Sequence, residues 1–260
     1  MKSACHILNG DMLKSQFPSS IQGELIVARE CMVDGDVSGN TPEEVFTTRE
    51  RFMSSAYPDI TGQSYFNKTT PEFDKMKSIQ DNSEVNLWFE DDLFCQVNLW
   101  FVIYFLQFYQ VKATYFLVRP SAGLALGFGG MSQKELITAF QNRHLLTPES
   151  IDELCKFWPL YQGDQLDAMQ KLALSLKSDF PFLIPAIHAH IQRIPTADFP
   201  GRPKQVLLDL MDELNTTSFG TIFRAFNAQE SIYGFGDLQV KRLYDELMNT
   251  DQTTTPTSFS

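Results

Sequence analysis

Three carboxylates stand where a chain could gather them into one site: Asp11, Glu90 and Asp92. Carboxylate oxygens are the natural ligands of a hard divalent cation such as magnesium or manganese, so these three form a candidate metal set. His6, five residues before Asp11, is a candidate acid/base or orienting group beside it. Arg29 and Arg49 offer the planar fork that recognises an anionic ligand. Asn9, Gly10, Glu30 and Gln96 complete the expected ligand-binding residues. The chemistry this set suggests is metal-assisted hydrolysis or group transfer on a small anionic ligand, phosphorylated or nucleotide-like. His6, Asp11, Glu90 and Asp92 are the expected catalytic residues. A strand histidine is more often a packed core residue, and an acid before a helix is often only a cap.

Whether these residues meet depends on the elements that carry them. Residues 85–89 alternate as a strand should, and three acids, Glu90, Asp91 and Asp92, follow at once. The next run, to Phe108, is apolar nearly all round and predicts a buried helix. It is too short and too interrupted by Gln96, Asn98 and Gln107 for a membrane span. The same plan of strand, polar turn and helix appears at 5–8, which ends in Asn9-Gly10-Asp11. A further strand, 24–28, ends in Arg29-Glu30, and another, 113–118, ends in Arg119-Pro120. Thr41-Pro42-Glu43-Glu44 and Thr70-Pro71-Glu72 are helix starts, giving two helices between the second and third strands.

This alternation predicts an α/β fold: a small parallel sheet covered by helices, over residues 1–125. The long second connection suggests the order 2-1-3-4. That order makes a switch point between strands one and three, where ligands bind in open sheets. The glycine-rich stretch 123–130 lacks the Lys-Ser/Thr of a phosphate loop and reads as a connection. Residues 126–249 predict an all-helical domain, with helices at 132–143, 148–159, 165–176, 182–192, 203–214, 219–228 and 237–248. Residues 250–260 predict a disordered tail.

The chain of 260 residues is 43% hydrophobic, enough for a sizeable core, and its net charge is −11. That charge argues against a general nucleic-acid partner. The last three helices have the size of a helix-turn-helix unit, but they carry more acids than bases, which favours a partner protein over DNA. The four cysteines show no C-x-x-C pair, as expected of free thiols in a reducing cytoplasm.

The segment Trp88-Phe89-Glu90-Asp91-Asp92-Leu93-Phe94-Cys95-Gln96, together with His6 to Asp11, Arg29-Glu30, Gly35, Arg49 and Phe52, resembles the bacterial domain-of-unknown-function family 1835. The resemblance extends over nearly the whole chain, through Phe182-Leu183, Pro195 and Gly236-Asp237. Asp91 stands where members of that family often have histidine, and Asp36 where they often have proline. The family brings no established reaction, so the resemblance supports the architecture and the chosen residues only. A second functional reading remains open: a regulatory or interaction module, its acids serving as caps and partners of Arg29 and Arg49. In that reading the C-terminal helices contact another protein.

Overall fold

A computed structural model describes residues 3–57, 59–120 and 127–253. The sheet forms from β1 (Ala4–Leu8), β2 (Glu24–Val27), β3 (Ser83–Trp88), β4 (Ala113–Val118) and a fifth strand, β5 (His144–Leu146). Its order is β2-β1-β3-β4-β5. The first four strands are parallel, in the order their connections predict, and β5 adds an antiparallel edge, Tyr115 pairing with Leu146. The fifth strand was not expected. At three residues it is too short for alternation to register.

Both faces of the sheet are covered, which is why the strands read as nearly unbroken apolar runs. Ile7, Ile26, Val85 and Leu87 face the main core. Leu8, Trp88 and Val118 face a smaller core closed by Leu13, Phe128 and Leu136. The first helix, α1 (Asp11–Ser15), follows β1 directly. The connection between β2 and β3 holds three helices where two were expected: α2 (Pro42–Ala56), α3 (Gly62–Lys68) and α4 (Thr70–Lys77). α3 starts at a capping box made by Thr61 and Ser64, a pairing without the usual Glu or Gln.

α5 (Leu93–Phe108) is the central helix, and Leu93, Val97, Leu99, Trp100 and Phe105 are fully buried. Its aromatic side reaches both ways. Phe101 packs on Phe46 and Phe73 of the β2–β3 connection, and Phe101 and Trp100 pack on Trp158 and Phe157 of the C-terminal half.

Beyond β4, a 3-10 turn at Gly127–Gly130 leads into α6 (Gln133–Gln141), capped by Ser132 and Glu135 as the sequence predicts. Residues 123–126 of the glycine-rich stretch lie outside the described residues. The rest is helical: α7 (Pro148–Cys155), α8 (Phe157–Gln162), α9 (Leu166–Ser175), α10 (Leu183–Gln192), α11 (Arg202–Glu213), α12 (Phe219–Gln229) and α13 (Asp237–Thr253). The expected helix 148–159 is thus two helices. α13 runs on through 250–253, into the stretch expected to be disordered, and 254–260 lie outside the described residues. Among the described residues no helix is long and apolar enough to cross a membrane, and all four cysteines are free thiols.

Candidate functional site

The β1 and β3 turns do come together at the carboxyl edge of the sheet. The contact is made by Asn9, whose Nδ2 donates to Cys95 Sγ at 2.8 Å. Asn9 is held in turn by Asn98, whose Nδ2 donates to Asn9 Oδ1 (2.7 Å) and to the Glu30 carbonyl (2.6 Å). Asn98 Oδ1 accepts from the Met32 amide at 2.9 Å. One buried asparagine on α5 therefore ties the ends of β1, β2 and β3 together.

Beside this bridge lies a donor cluster. Carboxylate oxygens of Glu90 and Asp92 and the sulfur of Cys95 all lie within 4.8 Å of one another. Glu90 and Asp92 are partly buried and Cys95 is buried. Asp92 caps α5, its Oδ1 accepting from the Cys95 amide at 2.9 Å. Glu90 Oε1 accepts from the Phe128 amide at 2.7 Å, and Gln96 donates to the Glu90 carbonyl at 2.7 Å. Two glycines seat their backbones on these carboxyls. A Cβ at Gly127 would overlap the Glu90 carboxyl, and one at Gly234 would overlap that of Asp92. Both have positive φ, 51° and 64°, which glycine adopts most readily.

The electrostatics follow from burial and from two acids sharing one place. Burial, then the neighbouring Asp92 charge, push the Glu90 carboxyl up to about 7, against the pull of the Phe128 amide. Burial raises Asp92 as well. Two carboxyls this close do not both ionise cheaply, so near neutral pH the pair holds one proton. Burial, then the charges of Asp92 and Glu90, raise the Cys95 thiol well above its usual range. It is an inert thiol unless a cation draws off its proton.

This yields a pH dependence of stability. A carboxyl raised in the folded state adds stability that is complete below its unfolded value, about 4.3, and lost as pH rises through about 7. Between pH 5 and pH 8 the pair should cost the wild type about 2 kcal/mol. Urea titrations at both pH values should show Glu90→Gln losing less stability than wild type over that interval. Equal losses would mean that Glu90 titrates as an ordinary surface acid.

Not every expected residue joins this cluster. Asp11 is half-exposed and forms a two-pronged ion pair with Arg29, 2.7 Å on both arms, and that pairing holds its carboxyl below the usual range. It is not the third donor; Cys95 occupies that role. His6 is fully buried on the other face of the sheet, among Phe17, Trp88 and Phe140. Its Nε2 meets the Gln22 carbonyl (3.2 Å), and its Nδ1 accepts from the Trp88 indole (3.2 Å). With both nitrogens engaged and burial lowering its basicity, His6 is a core residue and not an acid/base group.

Arg49 is wholly buried and pairs with Glu30 (3.2 Å), which also accepts from the Tyr65 hydroxyl. Its remaining donors go to the Cys31, Asp34 and Asp36 carbonyls. It organises the loop after β2 and does not face a ligand. Arg29 adds the Lys68 carbonyl to its Asp11 pair. Asp91 turns from the cluster to a two-pronged pair with Arg119, which lies over the Phe182 ring at 4.1 Å. Gly10 has φ 105°, and open space surrounds the position a Cβ would take.

Sequence reasoning did not single out Cys95, Asn98, Gly127 or Gly234 as site residues. Asn98 carried a signal, as a polar residue inside an otherwise apolar helix. In comparisons with family models, curated proteins and solved structures, nothing matches this chain. The chemistry of the site therefore rests on its geometry.

Proposed function

We propose that the protein is a metal-assisted hydrolase or transferase acting on a phosphorylated or nucleotide-like ligand at the β1/β3 switch point. The observation that carries this reading is the convergence of Glu90, Asp92 and Cys95 to within 4.8 Å of one another at the carboxyl edge of the sheet. Donors around a divalent cation stand ~3–4 Å apart at the usual bond lengths, so the set has to contract by only about 1 Å. Two carboxylates and a thiolate suit zinc better than magnesium or manganese, since sulfur is a soft ligand. When bound, such a cation polarises a phosphoryl group and lowers the pKa of a coordinated water.

The chain supplies the rest. Glu90 and Asp92, which share a proton in the metal-free protein, would release it as the cation binds. Asn9 fixes the Cys95 sulfur. Arg29 would meet the anionic ligand by exchanging the Asp11 carboxylate, itself largely exposed, for it. A cytoplasmic setting, where the four thiols stay reduced, suits this reading.

The test is phosphate release from p-nitrophenyl phosphate and from a nucleotide panel, with manganese or zinc added. Turnover should require the metal and fall about 100-fold or more in Glu90→Gln. Turnover unaffected by chelator and by that substitution would remove the proposal.

One observation favours the second reading, an interaction module. Asp11, Glu30 and Asp91 are each paired to an arginine, and Asp92 caps a helix. In that case partner binding depends on α11 to α13 and survives Glu90→Gln.

A further inference from the structure

A cavity of about 260 Å³ lies between the segment after α10, the start of α11 and a partly buried side of α13. Its lining shares no residue with the Glu90, Asp92 and Cys95 cluster. Ile194, Pro195, Pro200, Phe235 and Leu243 give it apolar walls. Small-molecule sites combine such walls with a few convergent polar groups, and here those groups are charged. Among the lining residues, Arg193, Lys204 and Arg242 are cations, and Asp34 and Glu246 are anions. The lining thus carries three positive and two negative charges, a net +1, in a chain whose net charge is −11.

The arrangement already holds one carboxylate. Glu246 spans two cations, Oε2 to Lys204 Nζ at 2.7 Å and Oε1 to Arg242 Nη1 at 2.6 Å. Asp34 is fixed more deeply, buried and held by Arg242 and by the Tyr57 hydroxyl. Arg193 uses three of its five donors, on His190, the Val33 carbonyl and the Tyr161 hydroxyl. Anchored on three sides, the Arg193 guanidinium is a fixed positive charge at the cavity's edge.

From this we infer that the cavity binds a small monocarboxylic acid with an apolar body about the size of a benzene ring. One negative charge balances the lining, whereas a phosphate dianion would reverse it. The way Glu246 is held shows that a carboxylate fits the geometry of these cations. Glu246 acts as the internal competitor, so the ligand binds against it for Lys204 and Arg242.

Benzoate is the probe, followed by calorimetry on the full chain, with benzyl alcohol and phenyl phosphate as comparisons. Benzoate should bind, and benzyl alcohol should not. Lys204→Met should weaken benzoate about fivefold, and Glu246→Gln should tighten it by a similar factor. Leu243→Trp, with circular dichroism to confirm folding, should abolish binding by filling the cavity.

No benzoate binding up to about 10 mM by wild type and by Glu246→Gln would overturn the inference. So would equal affinity in wild type and Lys204→Met, or binding that survives Leu243→Trp. Tighter binding of phenyl phosphate than of benzoate would overturn the assignment to a monocarboxylate.

Discussion

Replacing Arg49 by methionine is expected to cost about 3–5 kcal/mol of folding free energy, the largest effect of any single substitution considered. The side chain is wholly buried, and its charge is balanced by Glu30, itself nearly inaccessible. The cost does not come from losing a favourable pair, since buried ion pairs often contribute little net stability. It comes from what is left behind. Glu30 would keep its charge in a dry environment with only the Tyr65 hydroxyl and the Cys31 amide to solvate it. The Cys31, Asp34 and Asp36 carbonyls would lose the donor that gathers them. Thermal denaturation should fall by roughly 10 °C or more for a chain of this size. Pairing the change with Glu30→Gln should recover part of the loss, because it removes the stranded charge. If Arg49→Met melts with the wild type, Arg49 is not the closed structural element described above.

Gly234→Ala should cost about 2–4 kcal/mol, for two reasons that add. Gly234 closes the turn after α12 in the left-handed region, where a side chain is strained. Its backbone also rests against Asp92, so the new methyl would displace the carboxylate that caps α5. Gly129→Ala is the matched control. A Cβ there meets nothing closer than 3.8 Å, so its effect should stay within about 0.5 kcal/mol. Thermal melts of the two variants check the pair; equal stabilities would mean that Gly234 does not press on Asp92.

The parallel strands were legible because burial on both faces leaves an apolar run that polar turns punctuate. Their order was legible because connection length limits the crossings. β5 was not, since three residues become a strand only when Tyr115 and Leu117 of β4 pair with them. In the site, the chain segments were identifiable but the side-chain directions were not. Asp11 and Cys95 both lie in the first turn of the helix that follows its strand; Arg29, 18 residues from Asp11, pairs with that carboxylate, and Cys95 is the group beside Glu90. Arg49 reads from sequence as a ligand-binding arginine, because its carbonyl partners lie on a loop that only the fold brings near. His6 is one residue out of phase with Ile7, and that parity sends it to the opposite face of the sheet. Gly127 and Gly234 contact carboxylates 37 and 142 positions away, and no local pattern announces such contacts.

The most direct test of the proposed centre is titration with cobalt(II), which reports a coordinated thiolate by its near-ultraviolet charge-transfer absorption. The wild type should develop that band at one equivalent, and Cys95→Ser should lack it. Glu90→Gln should need a markedly higher cobalt concentration. No band in the wild type, or an undiminished band in Cys95→Ser, would show that Glu90, Asp92 and Cys95 do not form a metal centre.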